Sequence, residues 1–165
     1  MESLPTTPHS TALRLLEEAG AAYIVHRHEP IRTGEDILAH TAFTQENVVH
    51  SVKTLAFSSG SDSIVLASIP GPGRIRYGQL AAAVGVRRSD VRPASPEILQ
   101  RLGMEPGGVT PLCADPLVTV VFDTAVTTMG RVLCGSGSSD HTLEADLSDI
   151  MKAVPQRVVA DIASL

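Results

Sequence analysis

The sequence predicts an α+β protein built on a mixed β-sheet. Strand-like stretches outnumber helical ones, and several adjoin in the chain with only a turn between them. No internal repeat, low-complexity tract or long linker divides the 165 residues, so residues 1–165 read as a single domain with one core.

The elements follow in order. Residues 10–19 form a short amphipathic helix with Ala12, Leu15, Leu16 and Ala19 on one face, Ser10 or Thr11 as its cap and Gly20 as its stop. Residues 21–28 read as a strand. The chain then turns at Pro30 and starts a helix near Thr33, with Glu35 and Asp36 in its first turn, where the helix dipole favours acids. Two strands, 47–59 and 62–70, make a hairpin across the Ser/Gly turn at Ser58–Ser61. The Gly71–Arg74 stretch is a loop. Residues 75–86 are a helix ended by Gly85, and 95–104 another, with Ser95 as N-cap and Pro96 at its first position. Between Gly103 and Pro116, three glycines and three prolines exclude helix and central strand. Residues 117–123 are a buried strand, 130–137 and 141–146 two strands around a Gly/Ser turn, and 147–154 the last helix. The tail, 156–162, fits strand or helix.

Composition excludes several classes. With 43% hydrophobic and 19% charged residues, the chain is neither disordered nor unusually polar. No apolar run is long enough to span a membrane, and the start lacks the basic and apolar regions of a secretory signal, so a cytoplasmic location is expected. Cys113 and Cys134 read as free thiols, too few for a structural zinc site of the usual kind. His26 and His28 share a strand face, but no third or fourth metal ligand stands near them in the sequence; they read as structural or substrate-facing. Net charge is −5, which argues against gripping nucleic acid by bulk electrostatics. The stretch 71–101 is the exception. It holds Arg74, Arg76, Arg87, Arg88, Arg92 and Arg101 against Asp90 and Glu97, and so carries +4 while the remainder carries −9. A phosphate-contacting patch and a solvated surface both fit it.

No side-chain catalytic signature appears: no GxSxG, P-loop, HExxH or GxGxxG. What stands out is Lys53 within "HSVKTLAF". Strand alternation places Ser51, Lys53, Leu55 and Phe57 on one face and Val52, Thr54 and Ala56 on the other. The chain has eleven arginines and only two lysines, yet a lysine sits here, where a compact ammonium fits and a guanidinium fork would not. Two readings stay open: a lysine snorkelling to water from a sheet edge, and a lysine held in a pocket to meet an anion. Two glycine-rich loops, Gly107–Pro111 and Gly135–Ser139, are further candidates, because glycine lets backbone N–H groups approach a ligand closely.

The ordered set "VVHSVKTL", a hairpin, "LAAAVG", "GMEPGGVTPL" and "GSGSSDHTLEADLSDIMKAV" resembles the YbaK/EbsC family, free-standing relatives of the editing domain of bacterial prolyl-tRNA synthetase. The resemblance runs from about Thr11 to the end. It implies a mixed, barrel-like sheet surrounded by short helices. It implies hydrolysis of a mischarged aminoacyl-tRNA ester carrying a small amino acid (Cys, Ala, Ser or Thr), assisted by the substrate and without metal or organic cofactor.

By the same resemblance Lys53 meets the 3′ end of tRNA, with Thr54 beside it, and Gly107 and Gly108 open a GxxxP loop completed by Val109, Thr110 and Pro111. Gly135, Ser136 and Gly137 form a pocket loop. His28, Thr33 and Thr142 face substrate, and Arg74, Arg76, Arg87 and Arg88 contact tRNA. Thr142 stands where cysteine-specific members carry an acid, and Gly135 where they carry a serine; these positions help choose the amino acid, so its identity stays open. The implied partners are the aminoacyl-tRNA 3′ end and prolyl-tRNA or another aminoacyl-tRNA synthetase. A rival reading is a non-catalytic module that binds an aminoacyl-tRNA end, a nucleotide or a synthetase.

Overall fold

A computed structural model describes residues 7–31, 36–37, 43–60 and 63–165. Its centre is an eight-stranded mixed sheet. β1 (Tyr23–Arg27), β2 (Ser51–Ser59), β3 (Ile64–Pro70), β5 (Val91–Pro93), β6 (Val118–Asp123), β7 (Arg131–Gly135), β8 (His141–Asp146) and β9 (Arg157–Ala160) contribute to it. The spatial order is β1-β8-β7-β2-β3-β6-β9, with β5 pairing to β2. β4 (Arg74–Ile75) and β10 (Ala163–Ser164) form a separate two-stranded ribbon. The sheet ends at β1 and β9, so it is open and not the closed barrel toward which the expectation leaned.

The sequence dictates which strand is central. All seven residues of β3 are buried, and its alternate side chains enter two different cores. Ile64 and Leu66 join Val120, Phe122, Val52, Leu143 and Ile150 on one face. Val65, Ala67 and Ile69 join Val121, Phe57, Leu80 and Ile162 on the other. A continuous apolar run fits a strand covered on both sides. The first core is closed by α1 (Ser10–Glu18) through Ala12, Leu15 and Leu16, and by α5 (Leu147–Lys152) through Leu147 and Ile150. The second is closed by α3 (Tyr77–Val84) through Leu80 and Ala81. α3 ends at Gly85 in the left-handed conformation, as its sequence position predicts.

Three expectations change. α1 begins at Ser10 with His9 at the N-cap, because the Ser10 hydroxyl is engaged with Thr7. Residues 47–49 lie in a helix, α2 (Gln45–Val49), and not in the strand. Thr44 and Asn47 form a capping box there, and this local chemistry overrides the β-branched Val48 and Val49. β4 and β5 are strands too short for periodicity to reveal. The tail resolves as strand, pinned where the buried Asp123 carboxylate accepts from Ile162 N at 2.8 Å and Ala163 N at 3.0 Å. α4 (Pro96–Leu102) follows its prediction. Asp36 and Ile37 are helical; Thr33 and Glu35 lie outside the described residues. No helix among the described residues is long and apolar enough to cross a membrane.

Candidate functional site

The site begins with a fork in the sheet. β2 runs parallel to β7 only over Ser51 and Val52, which face Leu133 and Cys134 in register. It meets β5 only from Phe57 onward. Between these two ladders, among the described residues, the Lys53–Leu55 edge of β2 has no partner strand. Backbone groups of alternate residues point to the same edge of a strand. The His50 carbonyl accepts from Leu133 N on this edge, and the Ala56 carbonyl from Ala94 N. Thr54 therefore turns its N–H and C=O into the gap.

A cavity of about 420 Å³ opens there. Ser51 to Leu55 form one wall, and Gly107, Val109, Leu133, Gly135 and Thr142 another. Ile31, Ile37, Phe43, Asn47, Val48 and Gly71 complete it, so the lining is mostly apolar with a few polar groups, as small-molecule sites are.

Lys53 stands in this wall, half-buried. Burial, and then the positive charge of Arg74, hold its ammonium below lysine's ordinary pKa. An anion arriving at the half-buried ammonium offsets both effects. The Thr54 hydroxyl is buried and bonds the Ser68 hydroxyl at 2.8 Å, so its side chain braces the strand while its backbone faces the gap.

The two glycine-rich loops meet each other beside the cavity. Gly137 N donates to the Gly108 carbonyl at 2.6 Å, and Glu105 N to the Gly137 carbonyl at 2.8 Å. A Cβ on Gly135 would overlap the Val109 carbonyl, and one on Gly108 would lie 2.5 Å from the Ser138 carbonyl oxygen. Gly137 has φ near +102° and packs against the Pro8 carbonyl, with no room for a side chain. Close approach of backbone to backbone thus accounts for these glycines.

Several expected site residues are consumed by the same packing. The Gly108 N–H already donates to the Glu105 carbonyl at 2.9 Å, so it is not a free donor. Thr110 is buried and accepts from Leu112 N at 3.1 Å; Pro111 is buried behind it. Ser136 is buried and donates to the His141 carbonyl at 2.6 Å. None of Gly108, Thr110, Pro111, Ser136 and Gly137 lines the cavity, whereas Lys53, Thr54, Gly107, Val109, Gly135 and Thr142 do. His28 stands one bond behind the wall, its Nε2 2.7 Å from the Thr142 hydroxyl. Thr33 lies outside the described residues.

The arginines divide. Arg74 acts on Lys53. Arg76 pairs with Asp161 at 2.8 Å, and its Nε is buried without a partner. Arg87 pairs with Asp90 on the surface, and Arg88 lies over the Tyr77 ring at 5.1 Å. Cys134 reaches the cavity wall, but full burial pushes its thiol up to about 12, which removes it as a nucleophile near neutral pH. His26 bonds Glu144 at 2.9 Å, and Glu144 also pairs with Arg131. Among the described residues no cluster of three or more His, Cys, Asp or Glu is placed to hold a metal ion. Ser51, Asn47 and Gly71 escaped the sequence reading as site residues. For Ser51 the signal existed, since it shares the Lys53 face of β2.

Residues 28–153 match the family model described as an aminoacyl-tRNA editing domain. The proline–tRNA ligase of Desulfitobacterium hafniense is 34% identical over 96 residues, which cover 57% of this chain and 16% of the ligase. Among solved structures, a candidate trans-editing enzyme for prolyl tRNA synthetase superposes with a TM-score of 0.70 at 21% identity, covering 99% of this chain and 100% of that one. A hypothetical protein superposes with a TM-score of 0.75 at 22% identity, covering 93% and 99%. At these identities the superpositions speak to the fold.

Proposed function

The chain belongs to the aminoacyl-tRNA editing domain family, and from that premise we propose that it is a trans-editing deacylase, hydrolysing the ester of a mischarged tRNA that carries a small amino acid. The observation that carries this reading is Lys53, half-buried beside Arg74 in the wall of an apolar cavity, next to an open strand edge. The phosphate of the terminal nucleotide meets the two cations, as a single phosphate suits a lysine acting as a point charge. The aminoacyl group enters the cavity. Water, its proton taken up through a substrate group such as the vicinal ribose hydroxyl, attacks the ester carbonyl and releases the free acid, or a side-chain thiol of the acyl group attacks and releases it as a thiolactone. The acyl–oxygen bond breaks and the ribose hydroxyl leaves with a proton. Backbone donors at Thr54 and Gly107 stabilise the developing oxyanion, and positioning supplies the rest of the acceleration. Substrate assistance accounts for a site without a side-chain triad. The partners are the aminoacyl-tRNA 3′ end and a synthetase, that for proline being the first to try.

A deacylation panel tests this. Purified protein is mixed with tRNA-Pro charged with Cys, Ala or Ser, and with other tRNAs charged with Ala or Ser. Selective loss of one ester supports the reading and names its substrate. Tight binding of the same tRNAs with no ester loss supports the second reading, a binding module. The buried Cys134 thiol and the bonds already made by Gly108 and Ser136 favour that alternative.

A further inference from the structure

His28 and Thr142 make a bond whose polarity can be read from its other end. The His28 Nδ1 lies 2.7 Å from the Glu29 carbonyl oxygen. A carbonyl only accepts, so Nδ1 carries the hydrogen. In the neutral ring Nε2 is then a bare lone pair, and the Thr142 hydroxyl, 2.7 Å away, donates to it. The arrangement is held from three sides: the His28 N–H donates to the Asp140 carbonyl at 2.9 Å, the Phe43 ring stands edge-on to the imidazole at 5.9 Å, and Thr142 is fixed in β8 between His26 of β1 and Gly135 of β7.

Thr142 lines the cavity and His28 does not. A free threonine hydroxyl rotates to donate or accept as a ligand requires. This one has its hydrogen committed backward, and it offers the cavity only lone pairs. We propose that His28 is a positioning residue that makes Thr142 a fixed hydrogen-bond acceptor in the cavity wall, selecting acyl groups that present a donor there. The inference rests on the deacylase reading. The donor is the α-ammonium of the aminoacyl group or a side-chain hydroxyl or thiol.

Two measurements test it. Long-range proton–nitrogen NMR of the free protein reads the His28 tautomer directly; Nδ1–H is expected, and Nε2–H would overturn the inference while leaving the deacylase reading standing. Binding is then measured with amide-linked alanyl, propionyl and seryl derivatives of 3′-amino-3′-deoxyadenosine. If the donor is the ammonium, alanyl binds about tenfold tighter than propionyl at about pH 7.2, and if it is the side chain, seryl exceeds alanyl by a similar factor. Thr142→Val abolishes this preference, Thr142→Ser restores it, and His28→Ala, which leaves the Thr142 hydroxyl free to rotate, reduces it. A preference unchanged in Thr142→Val overturns the inference. Failure of all three derivatives to bind overturns the deacylase reading and the inference with it.

Discussion

Two regions border the cavity and use their polar groups in opposite ways. The paired loops, Gly107–Pro111 and Gly135–Ser139, bond mainly to each other and to their own turns: Gly137 to Gly108, Glu105 to Gly137, Ser136 to His141. The β2 edge at Lys53–Leu55 leaves one ladder at Val52 and joins the next at Phe57, with the Thr54 backbone turned into the gap and the Lys53 ammonium beside it. Glycine-rich loops invite a reading as ligand cradles, but here most of their glycines exist so that backbone can touch backbone. The proposed chemistry lies at the interrupted ladder, where a strand has groups to offer because the sheet does not use them.

The sharpest way to break this contrast is to load the loops. Gly135→Val forces a side chain into the Val109 carbonyl. Both neighbours are backbone, so a loss of about 3 kcal/mol or more is expected, with melting lowered by roughly 6–12 °C and deacylation falling with the fold. A melting temperature within about 2 °C of the parent would show that the loops are not locked together.

The next test separates the two causes acting on Lys53. Burial is the larger and Arg74 the second, and both favour the neutral amine. The anion-binding limb of a pH profile should therefore fall below pH 10.5, the ordinary lysine value. Arg74→Ala removes one cause, so the limb moves upward part of the way while tRNA affinity drops about tenfold. Fluorescence anisotropy from neutral to alkaline pH measures both, and a limb unmoved by the substitution would separate Arg74 from the site.

Smaller effects sharpen the contrast further. Cys134, its thiol pushed up to about 12, should resist iodoacetamide in the folded protein and label on unfolding; Cys134→Ala should leave deacylation within about threefold. Rapid native labelling would contradict the buried wall. Least of all, Arg87→Glu with Arg88→Glu should weaken tRNA binding several-fold and lower the salt slope by about one for each phosphate that is no longer neutralised. An unchanged slope would return both residues to solvated surface, where their interactions with Asp90 and Tyr77 already place them.

Strand alternation alone put Lys53 and Ser51 on one face of β2 and left a site-facing lysine as one of two readings. It did not show that β7 runs parallel to β2 for two residues and then departs, and that departure makes the cavity. Pairings between residues so distant in the chain leave no periodic trace in the sequence. The same limit hid β4 and β5, which are too short to show a period, while Val48 and Val49 read as strand because their β-branching outweighed the Thr44–Asn47 cap in the pattern. For Ser136 the sequence showed a hydroxyl beside a pocket glycine; only the fold reveals that the hydroxyl turns inward to the His141 carbonyl.

The central claim is that Lys53 at the open edge binds and orients the ester. The most direct measurement is the initial rate of deacylation by the parent and by Lys53→Ala on the fastest ester of the panel, with thermal melting recorded on the same samples. The account predicts a loss on the order of 100-fold in kcat/KM with no fall in melting temperature, since removing a half-buried cation costs the fold little. An equal rate from a folded Lys53→Ala protein would contradict it and return Lys53 to a lysine that merely reaches for water.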